Sequence, residues 1–436
     1  MRGGSRAGVR SRIIAIADTD SYVKWAAALL GTVADRHDVT LLVLETPLVV
    51  SESQRAAALS DSGLATHDVE RIPYARLSAR LGELRPDAVL LAARGPLVRV
   101  LARDVAALRP RPVIVTGLPG ISIPATRKAL VYRTQCDQFI VHSRRELREF
   151  TALSERTGFG ARFALATLPF ARTGGGAGSV GDEASQASGE RPPTDLVFAA
   201  QARVPATRTD RLRIARMLVR AAQADPSRRV VVKLRAADGE HQTHIEHDGY
   251  PELLATFGPL PPNLVTSTAP MSRALDTAQG LVTVSSTAAI EAIARGLPVI
   301  ALDTFGVSRA LINETLADAG LLGSEEDIVA RRLRHPAAGW LHDNYFHPAE
   351  ADDWEEVAAE LITRRRAGEL PPRAALPRRG GALRDAWERR VALGRSDTSA
   401  SGAIAYTIGV PVRAVVRLVH RARRTFVLGR SAEPAA

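Results

Sequence analysis

Apolar residues in this chain gather into short unbroken runs, and the runs come in two sets. The first set is RIIAIA (12–17), DVTLLVL (38–44), DAVLLAA (87–93), RPVIVTG (111–117) and DQFIVHS (137–143). The second is DLVFAA (195–200), RRVVVKLR (228–235), NLVTS (263–267), GLVTVSS (280–286) and LPVIAL (297–302). A strand that is apolar at every position has both faces buried, the condition of a parallel sheet covered by helices. Helix-period stretches such as YVKWAAALLGTVADRH and TDRLRIARMLVRAAQA separate the runs, so each set reads as successive βαβ units. Between the sets lies RTGGGAGSVGDEASQASGERPPT (172–194), rich in Gly and Ser and closed by Pro-Pro, the composition of a flexible linker. The expected fold class is α/β, with two Rossmann-like domains over 12–171 and 195–350 facing each other across a cleft. From 351 to 436 the pattern turns into a helical extension.

Composition narrows the function. A 45% hydrophobic content over 436 residues suffices for full cores. One cysteine, Cys136, excludes an intramolecular disulfide framework and fits a reducing cytoplasm. The leading run IIAIA ends at Asp18, too short for a signal peptide or a membrane span, so a soluble or peripheral protein is expected. The formal charge of +11 suits phosphate-bearing substrates or an anionic membrane face. With 5% aromatic residues and no zinc-ligand spacing, nucleic acid is not an expected partner. Only three of the 58 basic residues are lysine: Lys24, Lys128 and Lys233. Where arginine is the default, a retained lysine points to a site that needs a compact ammonium.

The richest segment is GLVTVSSTAAIEAIARGLPVIAL (280–302): strand, hydroxyl-rich turn, helix, Gly stop, strand. Ser285, Ser286 and Thr287 fall where strand gives way to helix. Their hydroxyls and the free N–H groups of the first helical turn form an expected phosphate pocket. Glu291 follows Thr287 by four positions, on the same helix face, where a carboxylate can accept ribose hydroxyls. Lys233 and Arg235 alternate with Leu234 and point one way from their strand end, and Gln201 ends the first strand of the second set. Strand carboxyl ends of both domains are expected to line the cleft.

These residues carry a resemblance. The 280–302 segment resembles the donor-nucleotide motif of GT-B glycosyltransferases, nearest the capsule-polysaccharide, glycerophosphotransferase and sialyltransferase-like branches. The chain over 12–350 is similar to an uncharacterised actinobacterial glycosyltransferase family marked by DTDSYVKW, GLPGISIPAT (117–126) and DQFIVHSRRE (137–146). The resemblance implies a GT-B type enzyme that takes a sugar from a nucleotide-sugar donor, without a cofactor or a held metal, and transfers it with inversion. It implies a cell-envelope glycan or lipid-linked acceptor. A CDP-polyol phosphotransferase, a sugar-nucleotide epimerase and a non-catalytic nucleotide-sugar-binding scaffold stay open beside it.

Asp18-Thr19-Asp20 spells a metal-binding Asp-x-Asp, but it follows the first strand of the acceptor half, so it reads as a loop at the cleft mouth with Ser21 and Lys24. Asp20 is the first candidate general base and His142 the second. Asp18 is expected to be held by helix N–H groups, and Asp20 or Ser21 can cap the helix. Gly117 and Gly120 allow backbone to approach a ligand. His342, Tyr345 and His347 bunch near a further cleft edge. In the tail, Val412, Val415, Val416, Val419, Ala422 and Phe426 form one stripe, and Arg413, Arg417, Arg421 and Arg424 another. Residues 410–430 thus either pack on the body or meet an anionic membrane, at the inner face of the plasma membrane.

Overall fold

The computed structural model describes residues 10–48, 50, 52–59, 62–172, 193–202, 204–234, 248–374 and 380–413. Arg235, most of the 172–194 linker and the tail stripe beyond Arg413 lie outside them.

The first set of runs forms a seven-stranded sheet. Its strands are β1 (Arg12–Ala17), β2 (Asp38–Glu45), β3 (Val69–Pro73), β4 (Ala88–Ala92), β5 (Val113–Gly117), β6 (Gln138–Val141) and β7 (Arg162–Leu165). The second set forms a six-stranded sheet of β8 (Asp195–Ala199), β9 (Val230–Lys233), β10 (Leu264–Ser267), β11 (Ala278–Thr283), β12 (Val299–Leu302) and β13 (Leu322–Gly323). The orders are β3-β2-β1-β4-β5-β6-β7 and β10-β9-β8-β11-β12-β13, and every strand pairing is parallel. Each sheet therefore reverses its winding direction once, between β1 and β4 and between β8 and β11. Crevices open at the carboxyl ends of such strand pairs because the flanking helices leave in opposite directions.

Unbroken apolar strands are buried on both sides, as their composition demands. Ile13, Ala15 and Ala17 enter one core with Trp25, Leu29 and Leu30, while Ile14 and Ile16 enter another with Leu97 and Leu101. In the second sheet Leu196 and Phe198 face one core, Val197 and Ala199 the other. Burying each large side chain contributes about 1.5–3 kcal/mol, which fixes register: a one-residue slip would exchange the two cores. β3, β7, β10 and β13 are the edge strands; β3 (VERIP) is polar, β13 has two residues, and the apolar run at β7, 163–166, is only four residues long.

The chain after 351 returns to the first lobe. Helix Trp354–Arg366 sets Trp354, Val357, Leu361 and Ile362 into the core beside Trp25, and Arg365 and Arg366 reach Asp87 at 2.8 and 2.9 Å. Helix Gly381–Leu393 lies against helix Gly95–Ala107, with Arg103 2.9 Å from Asp385. The helix over 400–413 stacks on it, its Arg413 over the Trp387 ring at 5.7 Å. Ile404, Ile408 and Val412, spaced by four, stay exposed on it. No helix among the described residues is long and apolar enough to cross a membrane.

Candidate active site

A cleft of about 910 Å³ lies between the two switch points. It takes wall residues from both: Thr19, Ser21, Tyr22, Arg94 and Gly120 on the first lobe, Gln201, Lys233, Ser285, Ser286 and Thr287 on the second. Lys128, Arg133 and Arg309 also line it, so five cationic side chains face or underlie this space. That volume suits a ligand of nucleotide-sugar size.

On the second lobe, Gln201 clasps the switch point. Its Oε1 accepts the Ser285 N–H at 3.0 Å and its Nε2 donates to Ser285 Oγ at 3.2 Å. Arg211 in turn holds the Gln201 carbonyl at 2.8 Å. Lys233, at the end of β9, is nearly buried and donates to the Leu234 carbonyl. The hydroxyl-rich turn corrects one expectation. The Ser286 N–H is taken by Thr283 Oγ1 at 3.0 Å and the Ala288 N–H by Ser286 Oγ at 3.2 Å. Ala289 and Ile290 donate to the Ser286 and Thr287 carbonyls. From Ser285 to Ile290 only Thr287 keeps an N–H without an acceptor among the described residues, and the helix that follows, Ala288–Ala294, has seven residues. The helix start is thus filled by its own side chains. Ser285, Ser286, Thr287 and Lys233 line the cleft. Gly296, at φ +72°, ends this helix as the sequence suggested.

Glu291 stands apart from the expected ribose position. It is buried one turn behind the wall, with Oε2 3.7 Å from Lys24 Nζ of the other lobe. The carboxylate and the ammonium form an inter-lobe ion pair.

On the first lobe, Asp18 is fully buried and bonded to Arg94 Nε at 2.8 Å; its Oδ1 also accepts, at 3.4 Å, the backbone N–H of Arg94, the cap of helix Gly95–Ala107, rather than N–H groups of the helix that follows it. Burial raises its pKa above the ordinary carboxylate value, against the pull of Arg94. Thr19 rather than Asp20 or Ser21 occupies the cap position of helix Asp20–Gly31, with no side-chain cap bond. Asp20 is half-buried at the first helical position, between two residues that line the cleft. Among the described residues no group of three or more His, Cys, Asp or Glu side chains is arranged to hold a metal.

His142 does not face the cleft. It is fully buried, with Nδ1 2.7 Å from the Ala166 carbonyl and Nε2 lying 2.8 Å from Trp25 Nε1 and 3.0 Å from the Leu118 carbonyl. An indole N–H only donates, so Nε2 must accept and the ring proton sits on Nδ1. Burial lowers the imidazole pKa. With both nitrogens engaged, His142 has no lone pair to offer an acceptor, and its candidacy as base ends there. Gly117 lies beside the same indole: a Cβ there would stand 2.7 Å from the Trp25 ring. Its role is packing, not ligand approach. Gly120 meets the other lobe, where a Cβ would come within 2.6 Å of Thr287 Cγ2. DTDSYVKW, GLPGIS and DQFIVHS thus converge on one buried node beneath the wall. Glu146 completes it, accepting N–H groups of Ser122 and His142 and the Tyr345 hydroxyl at 2.8–3.0 Å.

Tyr345 is buried in the seam between the lobes rather than at a cleft edge, His342 meets Arg144, and His347 Nε2 pairs with Asp352 at 2.9 Å. Arg148–Asp343 and Arg145–Asp318, both at 2.5 Å, join the lobes along the same side. Arg94, Arg133 and Arg309 escaped the sequence reading because arginine is too common here to stand out. The lysine signal was the usable one: Lys128 and Lys233 line the cleft and Lys24 crosses beside it.

Two Rossmann-like domains with a cleft between their switch points make this a protein of GT-B fold. Solved structures with similar folds include the S. aureus MnaA–UDP complex, at 12% identity and TM-score 0.51, covering 83% of this chain and 98% of that one. The "putative UDP-N-acetylglucosamine 2-epimerase" of Listeria monocytogenes has 10% identity, TM-score 0.51 and coverages of 84% and 98%. Medicago truncatula UGT71G1 with UDP-glucose has 10% identity, TM-score 0.46 and coverages of 82% and 94%. At such identities the likeness concerns the fold alone. No curated protein gives a significant sequence match. The profile of the family described as "Putative glycosyltransferase (DUF6716)" matches residues 13–361, and the chain belongs to that family.

Proposed function

We propose that this protein transfers a sugar from a nucleotide-activated donor, held on the second lobe, to an acceptor hydroxyl presented by the first. The observation that carries the reading is the second-lobe wall, where Lys233, Ser285, Ser286 and Thr287 line one cleft at a switch point. In a direct displacement the acceptor oxygen attacks the anomeric carbon as its bond to the diphosphate breaks, with inversion. Negative charge grows on the departing diphosphate. A fixed ammonium and hydroxyl donors stabilise that charge more in the transition state than in the ground state. The reading invokes no cofactor and no metal. Asp20 is the proposed base for the acceptor proton.

The proposed acceptor is a cell-envelope glycan or a lipid-linked one, reached at the inner face of the plasma membrane. The exposed face of Ile404, Ile408 and Val412, followed in sequence by Arg413, Arg417, Arg421 and Arg424, supports contact with anionic lipid.

A panel of UDP-, GDP-, CDP- and CMP-sugars, assayed for donor hydrolysis and transfer with and without EDTA, tests the proposal. Turnover that survives EDTA and falls at least ~10-fold in Lys233→Ala agrees with it, since one charge-assisted phosphate contact contributes about 1.5–3 kcal/mol. Nucleotide binding with no turnover on any donor would favour a non-catalytic binding protein.

A further inference from the structure

The first-lobe wall carries more positive charge than its own carboxylates balance. Arg133 is 2% exposed, yet it makes no ion pair among the described residues. Its donors go to neutral oxygens: Ala129 O at 3.1 Å, Thr116 Oγ1 at 3.3 Å, and Ala93 O, Gly117 O and Tyr22 Oη at 3.4 Å each. A buried guanidinium without a counter-ion is costly, and long bonds to dipoles offset it only in part. Tyr22 accepts from Arg133 and lines the cleft, but its own O–H proton has no acceptor among the described residues. That proton is polarised by the cation behind it. Arg94 is pinned to Asp18 through Nε, which leaves both terminal nitrogens of its fork without a hydrogen bond among the described residues. Lys128 stands on the rim, exposed, without an ion pair among the described residues.

Asp18 cancels Arg94, while Arg133 and Lys128 add two positive charges, of which Asp20, beside the lining residues Thr19 and Ser21, offsets one. The wall keeps a net positive charge, and a phosphomonoester or pyrophosphate suits it because it also carries the acceptor oxygens that an arginine fork and a phenol O–H recognise. We propose that the first-lobe wall is a second anion subsite, distinct from Lys233 and the Ser285–Thr287 turn, and that it holds a phosphate or pyrophosphate group of the acceptor. The assignment to the acceptor rests on the transferase reading above; the anion subsite itself does not.

The test is calorimetric titration of inorganic pyrophosphate into the full chain, alone and with saturating UDP, for the wild type, Lys128→Ala, Tyr22→Phe and Lys233→Ala. The subsite predicts that pyrophosphate still binds the UDP-loaded protein. It predicts about tenfold weaker pyrophosphate binding in Lys128→Ala, a smaller loss in Tyr22→Phe, and UDP affinity changed less than about twofold in both. Lys233→Ala should do the reverse. Arg133→Met is left to a second measurement, in which its fold is checked first by circular dichroism. Pyrophosphate binding that UDP abolishes, or that neither Lys128→Ala nor Tyr22→Phe weakens, overturns the proposal. Should UDP fail to bind at all, the donor reading falls while the pyrophosphate arm still reports on this wall. Co-sedimentation with phosphatidylcholine vesicles containing phosphatidic acid, lost in Lys128→Ala, would assign the phosphate to a lipid. Pyrophosphate binding without co-sedimentation would assign it to a soluble acceptor.

Discussion

The two sheets share one strand order around their switch points, yet they fasten those points with different chemistry. Across β1 and β4 the fastening is ionic: the buried Asp18 carboxylate grips Arg94 at 2.8 Å. Across β8 and β11 it is neutral, Gln201 bonding the backbone and side chain of Ser285 at 3.0 and 3.2 Å. A neutral clasp adds no fixed carboxylate to this wall that would repel an arriving diphosphate. An ionic clasp pins an arginine in place while leaving its fork open. The same topology thus presents a hydroxyl-rich wall on one side and a guanidinium-rich wall on the other.

Breaking the clasps should show the difference. The largest effect is expected from Arg94→Met, which strands a buried carboxylate: about 3 kcal/mol of stability lost at neutral pH, read from denaturant midpoints. Because burial already holds the Asp18 pKa up, its charge is a burden in the fold. Asp18→Asn should therefore cost under about 1.5 kcal/mol, and the double variant should recover much of the loss of Arg94→Met. Gln201→Ala removes two neutral bonds and should cost about 1–2 kcal/mol, with nucleotide affinity reduced about tenfold as the Ser285 turn loosens.

A smaller effect separates the first lobe by pH. His142 has its folded pKa below the ordinary 6.5 because it is buried, so below that pH the unfolded chain binds a proton that the folded chain refuses. Stability from this group is complete above 6.5 and falls as pH drops towards the folded pKa, by up to about 1.4 kcal/mol per pH unit. His142→Gln, whose amide oxygen can still accept from Trp25, should flatten that slope in Tm against pH. The smallest effect belongs to the bridge between the walls. Glu291→Gln should change stability by about 0.5 kcal/mol or less, since Lys24 is 41% exposed at 3.7 Å, and should leave donor affinity nearly unchanged.

Much of this was legible in the sequence because doubly buried parallel strands must be apolar at every position. β1 and β8 can be read directly from RIIAIA and DLVFAA. VERIP escaped because this edge strand is polar, and RFAL because its apolar run, 163–166, is only four residues long. The second-lobe wall was legible for the same reason: Lys233 ends β9, and Gln201 and Ser285 come two residues after β8 and β11, where a switch point collects them. What pairs with what was not. Asp18 finds Arg94 from 76 positions away, and Trp25 finds His142 from 117 positions away. An arginine in so arginine-rich a chain announces nothing. His142 looked like a base because a histidine at a strand end resembles one until its partners Ala166, Trp25 and Leu118 are seen.

The most direct measurement is a crystal structure of the protein with a nucleoside diphosphate bound. The account predicts the diphosphate at the carboxyl ends of β8 and β11, within hydrogen-bond reach of Lys233 Nζ and the Ser286 and Thr287 hydroxyls. A diphosphate lodged elsewhere, with Lys233 and that turn left bare, would contradict it.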